Sequence, residues 1–423
     1  MALVVALVAA GPLLAACGGS SGPPTLVWYV NPDPNPPAGF DGPFGQAGIA
    51  ERCSTDRYRV RTEILPQSAT EQRIQLLRRL VANDASISLM SLDPVFTAEF
   101  AAAGFLEPLP DALASSLSEA TLEGATRGAT WDGRLVAAPL WANTQVLWYR
   151  RSLAERAGLD MTRPVTWDQI ITAASENGAS VGVQANRYEG YVVWINALIE
   201  GAGGSIVSDT EAGPDASVDI GSEAGTRAAE IVSRLASSPA AQADLSVSNE
   251  GTVLGPLGSD GGGFMVNWTF AYNTFAGDPA VLDDLGWVRY PQTVAGQESR
   301  PPIGGINVGV SPFSEHTDLA LDALACITSP ENQSIYAVET ANMPARQAAY
   351  DDPALRDQFP ADLLDLWQES IDTGGPRPAS PYWNTIVNAI LSRWHPAGSV
   401  DPESTPAASA DFIERALQGK VLL

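Results

Sequence analysis

Lysine is almost missing from this chain: Lys420 is the only one in 423 residues, and every other fixed cation is an arginine. That argues against chemistry built on a lysine nucleophile or Schiff base. Cations of any kind are few, 24 against 49 acidic residues, for a formal net charge of −25. Such a surface repels phosphate backbones and anionic headgroups, which excludes DNA and RNA as partners. Histidine occurs twice, as His316 and His395, far apart and outside any metal-binding spacing. The phosphate-cradling loop and the dinucleotide fingerprint are missing too, so neither a metal nor a cofactor is expected. Beyond residue 22 no apolar run is long enough to cross a bilayer.

What is present is globular: 45% of residues are hydrophobic and 17% charged, enough apolar surface for packed cores and too much for disorder. The length favours two domains over one. The first residues differ in kind from the rest. Leu3 to Leu14 is apolar but too short for a mature membrane helix, and it reads as the hydrophobic part of a signal peptide over 1–16, though without a basic start. It ends in Leu14-Ala15-Ala16-Cys17, followed by Gly18-Gly19-Ser20-Ser21-Gly22. Small residues before a cysteine and a Gly/Ser tether after it resemble a bacterial lipobox. Cys17 is therefore expected to carry lipid and to begin a tether over 17–23. Cys53 and Cys326 remain. In an exported chain they either pair or stay as buried thiols, and pairing is the expectation.

The most informative stretch is Leu135 to Arg150, LVAAPLWANTQVLWYR. Its alternation reads as a strand, with Pro139 confined to the strand's start or an edge. Trp141, Asn143 and Gln145 then share one face, and the similar residues on both sides suggest a strand passing between two lobes. Around it, strands are expected at 25–30, 58–65, 87–92, 264–268 and 306–310, with another ending at Gln184 to Asn186. Helices are expected at 41–55, 68–82, 222–237, 319–328, 361–372 and 383–395, with one more from Pro406. Capping boxes at Ser68/Glu71 and Thr166/Gln169 open helices. Helices alternating with short strands imply an α/β protein with parallel or mixed sheets, which bind ligands at strand ends.

The candidate ligand groups fall at those ends: Asn31, Asp33, Asp93, Asn143, Tyr188, Glu189, Tyr191, Asn249, Glu250, Trp268 and Arg346. Carboxylates, amides and an arginine bracket hydroxyl groups, and aromatic rings cover apolar C–H faces, so the set suits a neutral ligand rich in hydroxyls. A phosphate ligand would need several convergent cations, and only Arg346 is nominated. A secreted glycan-cleaving enzyme using a carboxyl pair such as Asp93 and Glu250 is the rival in another class.

In order along the chain, the WYVNPDP segment, the strand ending at Asp93, Asn143-Thr144-Gln145, Pro164-Val165-Thr166-Trp167-Asp168, Ala202-Gly203-Gly204-Ser205, Val266-Asn267-Trp268 and Gly304 to Val310 resemble extracellular solute-binding lipoproteins of ABC sugar importers. EQRIQLLRRL, SLDPVFTAEFAAAGF and NTQVLWYR are most similar to the trehalose-binding lipoproteins of mycobacteria. The resemblance implies a non-enzymatic, two-lobed periplasmic-binding-protein-like fold of class II, with the ligand cleft between lobes. Residues 24–140 and 301–342 would form one lobe, and 143–298 and 345–423 the other. Hinges are expected near 141–143, 299–302 and 342–346. It also implies a disaccharide, trehalose first, delivered to an ABC permease by a lipid-anchored monomer outside the cytoplasm. Another oligosaccharide or a polyol is the alternative. Carried over, Asp93, Asn143, Glu250, Trp268, Gly305 and Arg346 match ligand-pocket positions, with Asp93 and Glu250 accepting, Arg346 donating and Trp268 stacking. Cys53 and Cys326 fall where that group has cysteines. Two features depart from it: the short connection from Trp268 to Ile303, and the glycine-rich stretch Gly255 to Gly263.

Overall fold

The run Thr25–Val30 forms a strand (β1) because its β-branched and aromatic side chains pack on both faces; Leu26 and Trp28 are completely buried. The structure, a computed structural model, describes residues 22–34, 36, 40–67, 69–259 and 261–421. Cys17, the signal segment and Ser68 of the first expected capping box lie outside them. β1 pairs in parallel with Arg59–Ile64 (β2) and Leu89–Leu92 (β3). Helices Gly45–Arg52 (α1) and Ala69–Val81 (α2) make the crossovers, and Pro94–Ala102 (α3) leaves β3. α1 is shorter than the 41–55 expected, since its first turn opens only at Gly45.

Ala138–Arg150 (β4) is the longest strand, thirteen residues. It is followed by Trp167–Glu176 (α4), which opens with the expected capping box: Thr166 and Gln169 exchange side-chain and backbone hydrogen bonds. Next come Ser180–Gly182 (β5), Glu189–Gly201 (α5), Glu223–Ser237 (α6), Gly262–Trp268 (β6), Leu285–Val288 (β7) and Pro302–Val310 (β8). The chain closes with Thr317–Ile327 (α7), Pro330–Thr340 (α8), Ala361–Thr373 (α9), Gly375–Pro376 (β9), Trp383–Trp394 (α10) and Thr405–Leu417 (α11). β5 stops short of the expected Gln184 to Asn186. The backbone there turns to other partners: Val183 N donates to Gln242 Oε1, and Ala185 N to Ser248.

The sheet path runs β2-β1-β3-β8-β4-β6-β5, with β7 also on β4 and β9 on β8. β4 divides it. Its residues from Ala138 to Thr144 pair with β8, and those from Gln145 to Tyr149 pair with β6. One strand thus belongs to two mixed sheets, each flanked by helices, which is a two-lobed binding-protein fold. Pro139, which has no N–H to give, sits near the strand start. Beside it the register slips between Ile306 and Asn307, so Leu140 has no partner in β8. β9 pairs with β8 at Pro302 and Ile303, although the boundaries expected from sequence put Gly375 with the other lobe.

Among the described residues three apolar cores support these layers, one of them holding Trp148, Met265 and Trp367, another Trp28, Tyr58 and Val308. Cys53 and Cys326 are disulfide-bonded, closing a separation of 273 residues. The bond fastens the end of α1 to α7 and so ties the first crossover to a helix from late in the chain.

Glu200, near the end of α5, is a buried carboxyl whose direct partner is Asn196, donating from 3.3 Å. Burial pushes it up to about 7. A raised acid binds its proton more tightly folded than unfolded, so stability falls as pH rises between the unfolded value and about 7. Glu200→Gln should flatten that slope and gain up to about 3 kcal/mol at pH 8 while changing little at pH 5. Denaturant unfolding at the two pH values checks this, and a gain equal at both would refute it.

Candidate functional site

The carboxyl ends of β1, β3 and β6 and the start of α5 open onto one cleft of about 610 Å³, floored by β4 and β8. Eight of the nominated residues line it, Asn31, Asp93, Asn143, Tyr188, Glu189, Glu250, Trp268 and Gly305, together with Trp141 from the same strand face as Asn143. Asp93 gets there because β3 ends at a residue that must also cap α3; its carboxylate accepts from Val95 N at 3.1 Å. Asn143 is fixed by its own side chain, whose Oδ1 accepts from Thr144 N, Thr269 N and Thr269 Oγ1. Trp268 ends β6 and lays its ring edge on Gly304, where a β-carbon would come within 3.0 Å of the ring. Gly305 has φ +137°, and a β-carbon there would lie 2.3 Å from the Trp141 carbonyl oxygen, so only glycine fits.

The cation of the cleft is Arg377, which the sequence reading missed. Its side chain is 5% exposed. Nη1 donates to Glu189 Oε1 at 2.8 Å, Nη2 donates to the Ile303 carbonyl at 3.1 Å, and Asp93 Oδ1 stands 3.6 Å from Nη2. One guanidinium therefore ties the cap of α3, the first turn of α5 and the start of β8 together. Trp383 Nε1 also donates to Glu189, at 3.4 Å. A signal was available: Gly374-Gly375-Pro376-Arg377-Pro378 is a rigid extended segment holding one of the chain's few cations.

Burial pushes the Asp93 carboxyl up, against the pull of Arg377. Burial works against the Arg377 charge, yet Glu189 and Asp93 hold it above the ordinary arginine range. Burial likewise raises Glu250, opposed by backbone and by neighbouring Tyr188 and Trp268. The Tyr188 hydroxyl is pushed well up by burial and by the adjacent Glu250 carboxylate, and it makes no aligned hydrogen bond. Asn31 Oδ1 and Trp141 Nε1 are also buried without a partner. The lining thus combines carboxylates, amides and aromatic rings.

Four nominated residues are not brought to the cleft. Asp33 is used locally: it accepts from Gln46 N at 2.7 Å, at the start of α1, and from the Tyr336 hydroxyl at 2.7 Å. Tyr191 is completely buried and donates to the Trp394 carbonyl. Asn249 caps its own turn, accepting from Gly251 N and Thr252 N. Arg346 points away, donating to the carbonyls of Thr328, Ser116 and Leu117 at 3.1–3.2 Å. Gln145, expected on the face of Trp141 and Asn143, is buried and donates to Gln184. Besides Arg377, the lining includes Gln67, Gln72, Thr340 and Asn342, polar residues that lacked any motif.

Residues 58–334 match the family described as bacterial extracellular solute-binding protein. The chain belongs to that family. It is a binding protein working outside the cytoplasm, not an enzyme. A probable ABC transporter-binding protein of Deinococcus radiodurans is 25% identical over 62% of this chain and 64% of its own length, so the match spans slightly less than two thirds of that relative. A diacetylchitobiose-binding protein of Streptomyces coelicolor is 23% identical over 91% of this chain and 90% of its own. The maltose-bound MalE3 of T. maritima shares the fold, with a TM-score of 0.75 and 22% identity, over 94% of this chain and all of the other.

Arg377→Gln would leave the largely buried Glu189 and Asp93 without their cation. It should lower stability by about 3–5 kcal/mol at neutral pH. The loss should shrink as pH falls, because Asp93, already raised, then takes up a proton. Arg346→Gln strands only carbonyls and should cost about 1–3 kcal/mol, independent of pH. Urea unfolding at pH 5 and pH 7.5 distinguishes the two; parallel losses would remove the ionic role given to Arg377.

Proposed function

We propose that this solute-binding protein captures a disaccharide, trehalose in the first instance, and presents it to an ABC permease. The observation that carries the reading is the lining itself. Carboxylates at Asp93 and Glu250 accept from sugar hydroxyls, Arg377 takes the donating role first given to Arg346, and the Trp268 ring covers an apolar sugar face. The amides and hydroxyls of the lining, Asn31, Asn143, Asn342 and Thr340 among them, suit a ligand that both donates and accepts. A cleft of about 610 Å³ is in the range of small-molecule sites. The disaccharides named for the Streptomyces and T. maritima proteins support the ligand class. The trehalose choice rests on the sequence resemblance. A different oligosaccharide or a polyol is the second reading, favoured by the short Trp268 to Ile303 connection.

In this reading the protein is a monomer held to the membrane through lipid on Cys17. The lobes close over the ligand about segments near 141–143, 299–302 and 342–346, with the closed population set by how much better the ligand binds it.

Calorimetry on the chain from Gly18 onward, with trehalose beside maltose, sucrose and glucose, should give selective binding near −8 kcal/mol, in the micromolar range. No monosaccharide should be released. Trp268→Ala should weaken that binding by about 1–3 kcal/mol. An unchanged affinity would take Trp268 off the site, and heat from another sugar alone would replace trehalose while keeping the class.

A further inference from the structure

The charged residues of the cleft do not balance. Among the described lining residues, Asp93, Glu189 and Glu250 are acidic and Arg377 alone is basic, a formal sum of −2 from +1 and −3. Arg377 is already committed to Glu189 and the Ile303 carbonyl, with Asp93 beside it. Glu250 has Tyr188 and Trp268 beside it, and the charge near enough to act on it is another carboxylate, Glu189. No described cation forms an ion pair with Glu250. A ligand that excludes water from this carboxylate must supply donors in its place, and a positive group does so while also offsetting the charge.

A positive group fits the neighbours. An ammonium group has three N–H donors and no acceptor. Glu250 offers a carboxylate, the Tyr188 hydroxyl lies against it, and Trp268 presents an indole next to them. The long-range field points the same way, since a chain of net charge −25 draws cations toward it. We propose that the preferred ligand is an amino-bearing saccharide, seated with its protonated amine against Glu250. This rests on the sugar-receptor reading and narrows it.

The proposal makes a linked statement about protons. Burial raises the Glu250 carboxyl. A neutral sugar leaves it raised or raises it further, so its binding should hold or improve as pH falls. An ammonium ligand lowers it again and drives any bound proton into the buffer.

The test is calorimetry on the full-length protein with matched pairs: trehalose against its monoamino analogue, and cellobiose against its diamino analogue. Each is measured at about pH 6 and about pH 9, in buffers of different ionisation heat. The amino member of one pair should bind on the order of tenfold more tightly at pH 6. The advantage of the amine over its neutral partner should vanish at pH 9, where the amine is neutral, and in Glu250→Gln, whatever that variant's affinity for the neutral partner. Neutral sugars binding as well as or better than the amines in the unaltered protein would overturn the proposal and leave the sugar reading standing. Silence from both pairs and from the wider sugar set would overturn both. The wild-type pH profile decides the matter even should Glu250→Gln fold poorly.

Discussion

Everything in this molecule hangs on the backbone hydrogen bonds of one strand. Ala138–Arg150 gives its first half to one sheet and its second half to another, changing partner between Thr144 and Gln145. The register is pinned from both sides: Asn143 stands opposite Gly304, and Gln145 opposite Trp268. A slip of one residue would turn Trp141 and Asn143 away from the cleft and push the buried Val146-Leu147-Trp148 run out of its cores. The site and the fold therefore share a single constraint. The same strand that joins the lobes sets the floor on which a ligand rests.

That strand was legible because a period of two is a direct consequence of strand geometry, and so was Asp93, where a strand must end before Pro94. Helix starts with reciprocal caps, such as Thr166 with Gln169, were legible for the same local reason. What escaped was whatever depends on a distant partner. Asp33, Asn249 and Arg346 are polar residues at element ends, as ligand groups are. Yet α1, a turn and three carbonyls had already claimed them. Periodicity also cannot show where β4 changes partner, because the alternation continues unbroken through Thr144 and Gln145. Arg377 follows a two-residue strand and carries no periodic signal, so only the folded chain shows that it meets Asp93 and Glu189.

The contrast between the two arginines is physical. Both are nearly buried, Arg346 8% exposed and Arg377 9%. Arg346 spends its donors on main-chain carbonyls and acts as a staple between the 342–346 segment and the chain near Leu117. Arg377 meets carboxylates, which is the better solvation for a guanidinium withdrawn from water, and it does so where those carboxylates face the cleft. A buried ion pair adds little net stability against an apolar substitute, but it holds its members in fixed directions. At this site direction matters more than stability, because hydroxyl recognition is a matter of where acceptors point.

The walls of the cleft come from separate places in the chain. Asn31 follows β1, Trp141 lies in β4, and Tyr188 precedes α5, so the three come from different parts of the two-sheet frame. Each lines the cleft. A ligand that meets only one of them gains one contact. A ligand spanning all of them gains all, and only while the three are held in this relation. Affinity for the closed arrangement and selectivity for ligand length then have one origin. A monosaccharide that satisfies one wall gives the lobes little reason to stay together, since a ligand shifts the population only by its difference in affinity for the two states.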